Sequence, residues 1–252
     1  MPIPHHTETE ATRLKGVALV TGSGRGLGRV LATFLAGQGN DIVITARTGT
    51  ELEETEESLH TNGVKVTAVP GDITDPIHRT RLLRETMAMG GVSILVNNAS
   101  DIGETPRPEL AHASLDRFRS TLETNLVAPL ALIQQALPQL ERTRGLVVNI
   151  TSDASQVGYE RWGIYGSSKA ALDLVSRTLA AELKPRGISV VSVDPGDMRT
   201  QMHQDAFPNE DISDRPLPEV TLPFWAWLIS QDPRRISGMR YQAQGTLWEV
   251  PA

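Results

Sequence analysis

The segment that most narrows the fold is Thr21-Gly22-Ser23-Gly24-Arg25-Gly26-Leu27-Gly28. It joins a short β-branched run, Val17–Thr21, to a helix-like stretch, 26–38. Glycines between a strand and a helix let the backbone come close to a pyrophosphate, and the helix N-terminus then faces the negative charge. The spacing is T-G-x-x-x-G-x-G rather than the commoner G-x-G-x-x-G. Its place after a first strand and at the opening of a helix is the context a dinucleotide turn requires.

The rest of the chain repeats that alternation. Strand-like runs recur at Asp41–Thr45, 64–69, 93–97, 145–151 and 188–193, with a last one at 239–243. Helix-like segments fall between them at 50–60, 76–89, 114–140 and 165–184. Short apolar strands bounded by helices of 11 or more residues read as βαβ units on a parallel sheet. Asp75-Pro76 supplies an N-cap and a proline for the first helical position, and Ser114 precedes the long helix. In the 165–184 segment, Leu172, Val175, Leu179 and Leu183 follow helical spacing and predict one buried face. The expected fold is α/β, a doubly wound parallel sheet of about seven strands (a Rossmann fold). With ~150 residues per domain as the prior and no repeat or internal boundary, one catalytic domain is expected over 14–252. Residues 195–223 break the rhythm with five prolines and predict a substrate lid; a short apolar helix, Leu222–Ser230, follows.

Composition excludes several classes. The chain has 24 basic and 30 acidic residues, a net charge of −6, which argues against nucleic acid as a partner. It has no cysteine, so disulfides, thiolate metal sites and a cysteine nucleophile are out. His60, His78, His112 and His203 show no metal spacing and are expected at the surface; no metal is predicted. The start, 1–13, is polar and acidic and reads as a flexible lead-in rather than a signal peptide. Apolar runs reach only four or five residues, so no membrane partner is expected, and a cytoplasmic protein is the default reading.

Further segments fall in order along the chain. Asp72-Ile73 follows the third strand, and Asn97-Asn98-Ala99 ends the fourth. Asn125 lies in the long helix, and Ser152 follows the fifth strand. Tyr165-Gly-Ser-Ser-Lys169 opens the next helix, and Pro195-Gly196 with Thr200 follows the sixth strand. Together with the glycine turn, these resemble the short-chain dehydrogenase/reductase superfamily, of the ketoacyl-reductase-like, single-domain type, over about 14–200 and the last strand. The resemblance implies a catalytic set of Asn125, Ser152, Tyr165 and Lys169. It implies a cofactor-binding set of Gly22, Ser23, Gly24, Arg25, Gly26, Leu27, Gly28, Arg47, Thr48, Asp72, Ile73, Asn98, Ala99, Tyr165, Lys169, Pro195, Gly196, Met198 and Thr200. It also implies that Asn125 holds a water linking Lys169 to solvent, and that helices 114–140 and 165–184 pair across a two-fold axis in a homodimer or homotetramer. Three positions depart from the pattern: Ser100 and Ser155 replace usual glycines, and Arg240-Tyr-Gln-Ala-Gln244 replaces the usual D-G-G ending.

The chemistry follows from residue types. Tyr165 and Lys169 are i and i+4 on one helix and share a face. A free phenol, near pKa ~10, is a poor acid–base group at neutral pH, and a neighbouring ammonium is expected to lower it. Tyr165 could then give a proton to a carbonyl oxygen or take one from an alcohol, with Ser152 steadying the same oxygen. Tyr159 has Gly163 at i+4 and is not the expected acid. Ser152, Asp153, Tyr159, Trp162 and Met202 are the candidate substrate contacts, and their apolar members suit a small, partly apolar molecule. The second strand ends without an acid at its tip. Arg47, 19 residues past Gly28, and Arg25 could converge on a 2′-phosphate, so NADP(H) is the expected cofactor and NAD(H) the alternative. Glu51 is the one nearby acid that opposes this. The expected function is NADP-dependent reduction of a 3-oxoacyl compound or ketone, or the reverse oxidation. A regulatory NADP(H)-binding protein or a non-redox enzyme on the same fold is the competing reading.

Overall fold

Seven parallel strands build one sheet in the order β3-β2-β1-β4-β5-β6-β7. The computed structural model describes residues 15–60 and 63–250, so the lead-in expected over 1–13 lies outside the described residues. The strands are β1 (Val17–Thr21), β2 (Asp41–Thr45), β3 (Val66–Ala68), β4 (Val92–Asn97), β5 (Leu146–Ile150), β6 (Ser189–Asp194) and β7 (Arg240–Gln242). β1 pairs in register with β2 from Val17↔Asp41 to Thr21↔Thr45. Its other edge pairs with β4.

Most strands are buried on both faces, as a doubly covered parallel sheet requires. Their residues still alternate between two cores. Ala18, Val20, Ile42, Ile44, Ile94 and Val96 face α1 (Gly26–Gly37) and α8 (Leu222–Ser230), meeting Leu31, Leu35, Trp225 and Leu228. Val17, Leu19, Val43 and Leu95 face the other way, toward α3 (Pro76–Ala88) and α5 (Ala128–Thr143). α2 (Gly49–Leu59) follows β2, and α4 (Leu115–Leu122) leads into α5. α6 (Gly163–Leu183) packs beside β5 and β6. Among the described residues no helix is long and apolar enough to cross a membrane.

The helix expected over 114–140 differs in one respect. It is α4 and α5 joined by a π-turn over Glu123–Val127, with Asn125 buried inside the turn. A π-turn carries one extra residue, which turns the side chains out of the α-helical stripe. Asn125 uses that displacement fully. Its Oδ1 accepts from Asp101 N (2.8 Å) and Ser100 Oγ (3.2 Å), and its Nδ2 donates to Asp101 O (2.8 Å) and Ser168 Oγ (2.9 Å).

The buried face of α6 also differs from the leucine stripe expected. Leu172 and Leu183 are buried, but Val175 and Leu179 are only half-buried. Ser168, Lys169, Asp173 and Ser176 take the inward positions. A polar inner face is tolerated where its groups are hydrogen-bonded, and Ser176 Oγ both donates to Leu172 O (2.7 Å) and accepts from Asn149 Nδ2 (2.8 Å). After β6, the irregular stretch holds a short helix, α7 (Gln201–Ala206), and a 3₁₀ turn over Pro218–Thr221. α9 (Pro233–Ile236) precedes β7, which pairs parallel with β6.

Candidate active site

The chain runs outward from β1 to β3 and then crosses back to β4, so the connections leaving β1 and β4 diverge and open a crevice at their C-terminal ends. A cavity of about 530 Å³ lies there. It extends from Arg47 and Asp72, along the glycine turn, to Ser152, Tyr165 and Met202.

Close packing explains the glycines. Gly22 has φ +65°, and a Cβ on it would lie 2.8 Å from Ala99 Cα. A Cβ on Gly28 would lie 2.2 Å from the Gly22 carbonyl oxygen. Asn98 locks the same corner, its Nδ2 donating to Thr21 O (2.9 Å) and Gly22 O (3.1 Å). Thr21 Oγ1 accepts from the Asn98 and Ala99 amides at 2.9 and 3.0 Å. The Asn-Asn-Ala segment therefore ties the end of β4 to the end of β1 and holds the floor of the crevice.

The first turn of α1 suits an anion. Its N-cap, Arg25, is extended, makes no side-chain cap, and no acid lies in the turn. The amides of that turn thus lack the usual side-chain acceptors and, with the aligned dipole, complement a phosphate. A pyrophosphate-bearing dinucleotide fits this cradle. The expected cofactor set lines the cavity with one exception. Ser23 is fully buried and faces away; its Oγ bonds Val20 O (3.1 Å) and Thr45 O (3.2 Å) and accepts from Thr45 N (3.0 Å). Its side chain staples β1 to β2.

The two arginines are not equivalent. Arg25 pairs with Glu51 at 3.3 Å at an exposed position, so the two free guanidinium groups expected here reduce to one. Arg47 makes no ion pair within 4 Å among the described residues and faces Asp72 across the crevice. Burial raises the Asp72 carboxyl, but the Thr74 amide and hydroxyl bonds and the Arg47 charge outweigh it, leaving the group below its usual value.

At the other end, Tyr165, Ser152 and Ser100 line the cavity together. Ser152 Oγ donates to Asp153 Oδ1 (2.9 Å) and accepts from Ala154 N (3.2 Å). Lys169 Nζ lies 5.5 Å from the Tyr165 ring centre and donates to Ile150 O at 2.9 Å. Here the expectation needs correction. Burial pushes the Tyr165 phenol well above its usual range, and the nearby Ser152 and Ser100 side chains only partly oppose it. Burial also lowers Lys169 to about 8, against the pull of Asp173. Desolvation, not the neighbouring ammonium, sets the direction of the phenol's shift.

Tyr159 is tied to Asp153 at 2.8 Å, which raises its phenol above the ordinary value. Trp162 stacks edge-on to Tyr165 at 5.7 Å. Asp153, Tyr159, Trp162 and Met202 line the substrate end with Ser152, as expected; Phe207 and His203 join them. His203 was expected at the surface, yet its side chain is 11% exposed and lines the cavity. His78 is also buried, bonding Thr45 Oγ1 at 2.8 Å. His60 and His112 are exposed as expected. Ser100 and Asp194 are cavity residues that no family motif flagged; only the departure from glycine at position 100 hinted at the first. Asn125 does not line the cavity. Its side chain is engaged by Ser100, Asp101 and Ser168.

Comparison with known proteins agrees with this geometry. The model of the short chain dehydrogenase family matches residues 16–211. The uncharacterized oxidoreductase YhdF of Bacillus subtilis is 30% identical over 203 residues, 79% of this chain and 69% of that protein. A fatty acyl-CoA reductase of Acinetobacter baylyi is 34% identical over 191 residues, 74% of this chain and 63% of that one. A solved structure from Escherichia coli CFT073, provisionally described as a short chain dehydrogenase and complexed with NADPH, superposes with a TM-score of 0.84 at 26% identity. That superposition covers 94% of this chain and all of the other.

Proposed function

The chain belongs to the short-chain dehydrogenase family of oxidoreductases, and from that premise we propose that it interconverts a carbonyl and a secondary alcohol on a small, partly apolar substrate, preferring NADP(H), with Tyr165 as general acid and base. The observation that carries this reading is the convergence of Ser152, Tyr165 and Lys169 on the same cavity as the glycine turn.

A bound nicotinamide supplies or accepts the hydride. The chain's own residues do the rest. Gly22, Gly24, Gly26 and the α1 amides would hold the pyrophosphate. Arg47 is placed to meet a 2′-phosphate, and Asp72 and Ile73 border the adenine end. Pro195, Gly196, Met198 and Thr200 close the nicotinamide side. Ser152 and Tyr165 both donate to the substrate oxygen as charge develops on it. Tyr165 passes its proton to that oxygen, and the Lys169 ammonium stabilises the phenolate left behind. The elevated phenol keeps the acid loaded until then.

Preference for NADP(H) is supported by Arg47, by neutralisation of Glu51 through Arg25, and by the related NADPH complex. Met202, Trp162 and Phe207 favour a substrate with apolar surface beside its carbonyl. The stretch over 195–223 acts as the lid of a single catalytic domain. Leu115, Val127 and Leu174, all exposed on α4, the π-turn and α6, support a homodimer or homotetramer. A panel of ketones, quinones and acyl thioesters tests the activity through absorbance of the reduced cofactor. Oxidation of NADPH by at least one class is expected; an inert panel in both directions contradicts it.

A further inference from the structure

Arg240 stands in β7, far along the chain from the Tyr165 helix, yet its guanidinium reaches three elements around the site. Nη2 donates to the main-chain oxygen of Ser152 at 2.9 Å and to Asp194 Oδ2 at 3.2 Å. Nε donates to Asp173 Oδ2 at 3.2 Å. Both carboxylate side chains are about 95% buried, and that of Arg240 is 22% exposed. Asp173 Oδ2 accepts further bonds from Ser155 and Gln156. Its Oδ1 is buried without a hydrogen-bond partner among the described residues. Asp173 is also four residues past Lys169 on α6, one turn along the same face.

Charge and geometry point the same way. The groups that meet Lys169 are Tyr165 and Asp173 on its own helix and the Ile150 carbonyl of β5; Arg240, in β7, reaches it through Asp173 and also pairs with Asp194 of β6. The buried carboxylates Asp173 and Asp194 are balanced by two cations, Arg240 and Lys169. A planar fork can serve a carbonyl and two carboxylates at once, which an ammonium on a shorter reach cannot. We propose that Arg240 is a positioning residue for the reaction, fixing the main chain that carries Ser152 and holding Asp173 and Asp194 in balance against Lys169. This rests on the roles given above to Ser152, Tyr165 and Lys169. Both departures from the family pattern in this region, Ser155 and the Arg240 ending, meet on the one carboxylate of Asp173.

Arg240→Met and Arg240→Lys in the full chain test it, with two readouts. The first is kcat and KM for the best carbonyl found. Misplacement of a reacting group by a fraction of an ångström is costly, so Arg240→Met is expected to lower kcat by about 10-fold or more with KM within about twofold. Arg240→Lys is expected to leave kcat low, because it restores charge without the fork. The second readout needs no cofactor: NMR titration of the lysine ε-carbons, of which the chain has four, assigned through Lys169→Met. Removing a cation favours the protonated lysine, so the Lys169 midpoint should rise by about half to one unit in Arg240→Met and return in Arg240→Lys. Adding Asp173→Asn to Arg240→Met should also bring it back. An active unmodified protein whose Met variant keeps both its rate and its midpoint overturns the proposal. If Arg240→Met does not fold, an Arg240→Lys variant with full kcat overturns it. A carbonyl panel on which the unmodified protein is inert overturns instead the reading of the preceding section.

Discussion

Replacing Lys169 with Met should abolish turnover and yet stabilise the fold. Lys169 is 2% exposed, and among the described residues its one hydrogen bond is to Ile150 O. Burial lowers its proton affinity from an ordinary 10.5 to about 8. At about 1.4 kcal/mol per unit, keeping that ammonium charged at pH 7 costs about 3 kcal/mol of folding free energy. Methionine is close in length and volume. Losing the Ile150 bond offsets roughly 1 kcal/mol, leaving a net gain of about 2 kcal/mol, or a Tm higher by about 4–8 °C for a chain of this size. The sign of the pH dependence follows from the lowered value. Between about pH 8 and 10.5 the unfolded chain holds a proton that the folded one has released, so the unmodified protein gains stability as pH rises through that window. The advantage of Lys169→Met is therefore full below about pH 8 and nearly gone by about pH 9.5. Thermal unfolding followed by circular dichroism at pH 7 and 9.5 measures both terms, and cofactor oxidation measures turnover, expected to fall by at least ~10²-fold. A variant less stable than the parent at pH 7, or a gap in Tm that does not narrow with pH, would refute the reasoning.

Cofactor selection gives two further tests. The unmodified protein should prefer NADPH over NADH by about 10-fold in kcat/KM, equivalent to ~1.4 kcal/mol, and Arg47→Asp should reverse that by adding a repelling charge; equal efficiencies in the parent would count against it. Glu51→Gln frees Arg25 from an exposed pair worth under ~1 kcal/mol, so a gain of only a few-fold with NADPH is expected, and a loss would contradict the assigned geometry. In sedimentation at micromolar concentration, the protein should run as a dimer or tetramer; a single 27.4 kDa species would refute the assembly.

Much of the fold was legible because two signals coincide along the chain. The bounds of β1 and β2 follow directly from β-branched runs ended by turn residues, and Asp75-Pro76 marks the start of α3, where Asp75 Oδ1 accepts from Ile77 N at 2.9 Å. The candidate site was legible for a different reason: motif spacing puts Ser152 after β5 and Tyr165 and Lys169 on α6, and these three open on one crevice. What stayed hidden depended on partners distant in sequence. Asp173 and Ser176 carry no signal in a leucine-stripe reading, yet with Lys169 they point inward because Arg240, Asn149 and Ile150 O meet them there. The π-turn is invisible to a periodicity argument, since one extra residue shifts the stripe without a breaker in the sequence. The pairing of Arg25 with Glu51 and the burial of His78 and His203 likewise arise only when α2, α3 and α7 are packed. The sign of the Tyr165 shift was missed because a pairwise argument weighs the neighbouring charge and not the loss of water around the phenol.

The central claim, that Tyr165 delivers the proton to the substrate oxygen, is tested most directly by single-turnover kinetics of Tyr165→Phe. The variant removes one oxygen and leaves the ring that packs on Trp162. NADPH affinity, read by fluorescence of the bound cofactor, and Tm should match the parent, while the rate of cofactor oxidation on mixing with a carbonyl substrate falls by at least ~10²-fold. A Phe variant that binds NADPH as before and still turns over at a rate near the parent's would contradict the account.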